Sequence, residues 1–179
     1  VVQIPTVTVA NATACPGGTV MLTASGANTY TWFASVGAAT NGVAFSPSAT
    51  ANYSVIGTNT LTGCTSTNVA FVTVTVNALP VVSAASSSSV ICNTQTITVN
   101  GSGANTYTWS ASVGTATNGV VFSPSATANY SVVGTNTLTG CTSTNNAVVT
   151  VTVYTLPVVT ANSTSTVICN TQSITLSGS

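Results

Sequence analysis

The stretch SPSATANYSVIGTNTLTGCTSTN at residues 46–68 returns as SPSATANYSVVGTNTLTGCTSTN at residues 123–145, with Val133 in place of Ile56. The offset is 77 residues, and it holds well beyond this stretch. Cysteines stand at 15, 92 and 169 and again at 64 and 141, and tryptophans at 32 and 109. Residues 26–76 and 103–153 differ at six of 51 positions: Phe33/Ser110, Ala38/Thr115, Ala44/Val121, Ile56/Val133, Val69/Asn146 and Phe71/Val148. A chain that writes one unit twice is constrained to fold as serial modules, each stable through its own core and its neighbours. The expected units are residues 1–77, 78–153, and 154–179 as the first strands of a third. Because Val1 opens inside a β-type pattern, the chain reads as part of something longer.

Within a unit the hydrophobic period is two, not 3.6. Val72, Val74 and Val76 alternate with Thr73 and Thr75, and Val149, Val151 and Val153 with Thr150 and Thr152. Val20 and Leu22, like Ile97 and Val99, follow the same rule. Such alternation builds a sheet with one face in a core and one in water, and threonine serves both β-propensity and hydration. Turn residues punctuate the strands at Pro16-Gly17-Gly18, Gly26-Ala27-Asn28, Asn41-Gly42, Ser46-Pro47 and Leu61-Thr62-Gly63. About seven short strands in 77 residues, with a Trp on the third, predict an all-β chain of tandem immunoglobulin-like sandwiches. The predicted core residues are Trp32, Tyr30, Phe45 and Tyr53, with Trp109, Tyr107, Phe122 and Tyr130 in the second unit. Phe33 and Phe71 point outward by parity, and their counterparts are Ser110 and Val148.

None of the 179 residues is Asp, Glu, Lys, Arg or His. Nucleic-acid binding needs Lys and Arg to neutralise phosphates, so that class falls. General acid–base catalysis has only Cys and Tyr to draw on, and a thiolate nucleophile would lack a base or cation to activate it. Calcium and magnesium want carboxylates. The expectation is therefore a non-enzyme with no cofactor and no metal. Disorder is excluded from the other side, because 44% of the residues are apolar and there is no net charge. No apolar run approaches the roughly 18–20 residues of a membrane helix, and the aromatic girdles of a membrane barrel are missing, so membrane insertion is not expected.

The segments ATACPGGTVMLTASGANTYTW and VICNTQTITVNGSGANTYTW, followed by ANYSV, TGCTSTN and VTVTV and then LP, carry a resemblance over essentially the whole chain. They are similar to the Ig-like and PKD-like tandem repeats of giant surface proteins of Bacteroidota, the gliding and adhesion proteins exported by the type IX secretion system. That resemblance implies a secreted, surface-displayed stalk or adhesin with no catalytic residues. Where relatives commonly carry Asp before Gly-Cys, this chain has Leu61-Thr62, so calcium binding does not carry over.

An extracellular setting makes disulfides the default reading of the five cysteines, and zinc is disfavoured by the absence of any C-x-x-C pair. Two pairings are open. Within a unit, Cys15 would join Cys64 and Cys92 would join Cys141. Sandwich connectivity argues for the other choice, because it puts Cys15 and Cys64 at opposite ends, about 26 Å apart along an eight-residue strand. Bridged Cα atoms lie within about 7 Å. Across the junction, by contrast, Cys15 at the base of one unit meets Cys141 at the top of the next, which favours an interdomain bridge. Cys64, Cys92 and Cys169 would then find partners outside this chain. The linkers Leu79-Pro80 and Leu156-Pro157 should be stiff, since proline fixes φ.

A surface without charge loses both repulsion between copies and the cost of burying ions. The predicted role is a structural repeat of an extracellular cell-surface fibre or adhesin stalk, whose partners are neighbouring repeats and other copies of itself. The alternatives are a passive spacer rod presenting a distal adhesive domain, and a glycan-binding module with an unknown surface ligand. Asn11, Asn52, Asn129 and Asn162 lie in N-x-S/T sequons. Asn52 and Asn129 adjoin a core Tyr and are expected to stay unmodified.

Overall fold

The computed structural model describes residues 3–179, so Val1 and Val2, where the first boundary is set, lie outside the described residues. The chain is all-β, and no helix occurs among the described residues. The first repeat supplies β1 (Ala12–Ala14), β2 (Val20–Met21), β3 (Thr29–Ala34), β4 (Ala44–Phe45), β5 (Ala51–Thr58) and β6 (Ala70–Val76). β1, β6, β5 and β3 form one sheet in that order, with β1 parallel to β6, and β2 pairs with β4 in a second sheet. Ahead of β1 the chain makes a single isolated bridge, Thr8 to Ser25, beyond the end of β2.

The second repeat supplies β7 (Ser83–Ser86), β8 (Val90–Cys92), β9 (Ile97–Ser102), β10 (Thr106–Ala111), β11 (Val121–Phe122), β12 (Ala128–Thr135) and β13 (Ala147–Tyr154). β10, β12, β13 and β8 make one sheet; β11, β9 and β7 make the other. Seven strands form here and six in the first repeat, where the stretch equivalent to β7 is reduced to the Thr8 bridge. The last segment pairs β14 (Ala161–Ser163) with β15 (Leu176–Gly178), and its residues are exposed.

Period-two alternation decides which side chains go inside. On β5, Ala51, Tyr53, Val55 and Gly57 are buried, while Asn52 is exposed and Ser54, Ile56 and Thr58 face outward between them. Tyr53 packs with Val72 and Val74 from its own sheet and with Val20 and Leu22 from the opposite one, which is what makes the pair of sheets a sandwich. In the second repeat Tyr130, Val151, Ile97, Val99 and Ile91 do the same. Each such residue contributes roughly 1.5–3 kcal/mol on burial.

The aromatics divide into two groups. Tyr53 and Tyr130 are fully inside, whereas Trp32, Trp109, Tyr30, Tyr107, Phe45 and Phe122 are half-buried at the rim. The reason is topological: β3 and β10 stand at the end of their sheets, and β4 and β11 are only two residues long. Phe45 still leans on Tyr53 at 5.5 Å between ring centroids, and Phe122 on Tyr130 at 5.3 Å. Gly57 lies where the segment ahead of β1 crosses closest, since a Cβ there would meet the Val7 side chain at 2.6 Å.

Candidate functional site

The place where the fold concentrates its chemistry is the junction between the two repeats. β1 runs beside β6 to the pair Ala14–Val76, and the Asn77 N–H donates to the Ala14 carbonyl at 2.9 Å. Cys15 follows at once, so it sits beside the strand end from which the chain leaves for the second repeat. Cys141 lies in the loop between β12 and β13, at the opposite end of its own sandwich. The two are joined by a disulfide, with Cα atoms 5.6 Å apart and a separation of 126 positions in sequence.

The loop that carries Cys141 is built by its own polar side chains. Asn136 Oδ1 accepts from the N–H groups of Leu138 and Thr139 at 3.0 and 3.4 Å, and the Gly140 N–H donates back to the Asn136 carbonyl at 2.8 Å. Ser143 takes the Gly134 N–H at 3.1 Å and donates to the Asn145 carbonyl at 3.1 Å. Asn145 then acts as a one-residue strand: its Nδ2 donates to the Val82 carbonyl at 2.8 Å and its Oδ1 accepts the Val82 N–H at 3.2 Å. Val82 is the buried residue with which the chain enters the second repeat. One loop therefore grips both sides of the junction, covalently through Cys141 and by paired hydrogen bonds through Asn145.

The same loop recurs in the first repeat. Asn59, Ser66 and Asn68 reproduce the contacts, with Asn68 bonded to both backbone groups of Val7 at 2.7 and 3.1 Å. This accounts for the exact repetition of TGCTSTN. The roles of Ser66, Asn68, Ser143 and Asn145 were not legible in the sequence, although an Asn held in place after the turn had ended was a signal. Asn41 was read only as a turn residue, and its counterpart Asn118 was not singled out. Asn118 Oδ1 takes the Gly101 N–H, and Trp109 Nε1–H at 3.1 Å; Asn41 Oδ1 takes only the Ala24 N–H at 2.7 Å, and Trp32 Nε1 is left without a partner among the described residues.

Among the described residues Cys64, Cys92 and Cys169 are free thiols, Cys64 half-buried and the others exposed. The alternative pairing within a repeat, Cys15 with Cys64 and Cys92 with Cys141, is not formed. Cys15 adjoins the far end of β6, and Cys64 lies in the loop that precedes it. The seven residues of β6 alone hold those points about 23 Å apart. Leu79 and Pro80 are half-buried beside Gly103, Ala104 and Asn136, whereas Leu156 and Pro157 are exposed. Asn52 and Asn129 are exposed on the outer face, not shielded by the neighbouring Tyr. Their Oδ1 atoms accept from Thr73 and Thr150 hydroxyls at 2.8 and 2.7 Å. Burial raises the Tyr130 phenol above its ordinary value.

A comparison with known protein families matches none of their models. A search of the curated proteins likewise finds no significant match.

Proposed function

We propose that this chain is a structural segment of an extracellular surface fibre or adhesin stalk, a rod of end-to-end β-sandwich modules that self-associates through uncharged faces. The observation that carries the reading is the Cys15–Cys141 disulfide, which ties the end of one repeat to the entry of the next. A covalent tie beside a short proline-bearing linker limits swinging, and a rod must transmit force rather than tumble. Disulfides persist in oxidising compartments, which supports a location outside the cytoplasm. The resemblance to surface stalks of Bacteroidota points the same way.

Cys64 occupies the position of Cys141, and Cys92 and Cys169 that of Cys15. In this reading they are the corresponding halves of further ties, to repeats of the same kind. Non-reducing peptide mapping of the native material tests it: each remaining cysteine should leave joined to one from an adjacent repeat.

Self-association without ions should be indifferent to salt. Sedimentation and electron microscopy of the native material, which strings many such repeats together, should show unchanged ordered fibres between low salt and about 1 M, ten times the ionic strength at which the screening length is about 10 Å. Assemblies that dissolve as salt rises, or isolated beaded strings at every concentration, would replace this reading with an ionic assembly or a plain spacer.

A further inference from the structure

Six positions separate the two long copies, and four of them fall on one surface. Phe33 on β3, Ile56 on β5, Phe71 on β6 and Val69 just ahead of β6 all face outward on the same sheet. Register places Phe33, Ser54 and Phe71 in a single row across the three strands, and Ile56 in the next row opposite Thr31. In the second repeat the same four positions hold Ser110, Val133, Val148 and Asn146. Every change makes the first repeat larger or more apolar. Packing does not call for them: Phe71 is 75% exposed, Phe33 53% and Val69 46%.

We propose that this outer face of the first repeat is where a second copy of the chain docks, the two sheets meeting face to face about a two-fold axis. The inference rests on the self-associating reading above and names the surface it uses.

Three observations select the occupant. The first is charge: an ionic partner would lose its hydration against a face that offers it no counter-charge, whereas this chain has no ions to lose. The second is area. The open parts of the two rings and two aliphatic side chains amount to an apolar surface on the order of 300 Å². That is smaller than the roughly 800 Å² per partner of a stable interface, and it is ringed by the hydroxyls and amides of Thr31, Thr73 and Asn52. An apolar centre inside an uncharged polar rim is the anatomy of such an interface. The third is shape. Ser54 is a gap between two rings, each one strand spacing of about 4.8 Å away. A copy turned about a two-fold axis sets one of its rings over that gap and receives one in return, so a single patch serves both partners.

The natural control is the second repeat, which carries the alternative residues on the same framework; Ser110 there bonds Ser131 at 2.7 Å. The variant F33S/I56V/V69N/F71V gives the first repeat the second repeat's face. Sedimentation equilibrium of the whole chain should show self-affinity falling about 100-fold or more, the loss of two aromatic anchors, while the melting curve keeps its shape. Unchanged association in the variant overturns this surface and leaves self-association standing. A wild-type chain that stays monomeric at millimolar concentration overturns both. The reverse variant S110F/V148F adds a second docking face and should drive assembly past the dimer; if it stays a dimer, the proposal fails even where the first variant does not fold.

Discussion

Thr94 adopts a φ of +81° at the position where the first repeat has Gly17 at +78°. A β-branched residue is strained in that region, and glycine is not. The third segment repeats the strain at Thr171, with a φ of +80°. Gln95 accompanies Thr94 and compensates in part: its Oε1 accepts the Cys92 N–H at 2.8 Å, a bond that Gly18 cannot supply in the first repeat. Thr94→Gly should therefore stabilise the second repeat by about 1 kcal/mol, read from the urea midpoint at constant slope. A destabilised variant would mean that the Thr side chain makes a contribution larger than its strain.

At the scale of the element, the entry strand of each repeat is held by an amide side chain more than by a ladder. In the first repeat the entry segment makes only the isolated Thr8–Ser25 bridge, so the Asn68 pair with Val7 is its main tether. The second repeat adds the β7–β9 ladder to the Asn145 pair with Val82. Removing either amide leaves a buried N–H and carbonyl unpaired, at a cost of about 2 kcal/mol. Asn68→Ala should accelerate hydrogen exchange around Val7 and Thr8 while the β5–β6 ladder stays protected. Asn145→Ala should have a smaller local effect, because four ladder pairs remain in β7 and β9. Equal loss at both sites would show that the ladder adds nothing.

For the whole molecule, the disulfide and the missing charges set the behaviour. A cross-link spanning 126 residues contributes about 5 kcal/mol in the chain-entropy account when both repeats unfold together. Cys15→Ser should lower the melting temperature and broaden the distribution of distances between the repeats in small-angle scattering; an unchanged distribution would show that the linker alone sets the joint. With no carboxylate, amine or imidazole side chain, stability should be flat from about pH 4 to pH 9. Above that, Tyr130 decides the sign. Its folded phenol titrates above the unfolded value of 10.0, so the unfolded chain loses its proton first. Stability is then fully present below pH 10 and falls as the pH rises past it, toward the raised folded value. Thermal melts across this range check both statements.

Repetition at 77 residues and the alternation of Val with Thr determined by themselves that the chain is all-β and which faces of its strands are buried. Both are local properties, set by a strand's period of two and by the transfer of apolar surface out of water. The position of the aromatics was only half legible. Tyr53 and Tyr130 are central because their strands are central, while Trp32 and Trp109 are peripheral because their strands end a sheet, and strand order is not written locally. Sandwich connectivity already favoured the Cys15–Cys141 bridge over a pairing within one repeat, whereas which amides staple the entry segments was decided by tertiary structure alone. Residues 126 and 63 apart meet only once the sheets have stacked: strand topology implies the first meeting, and nothing local to Asn145 encodes the second.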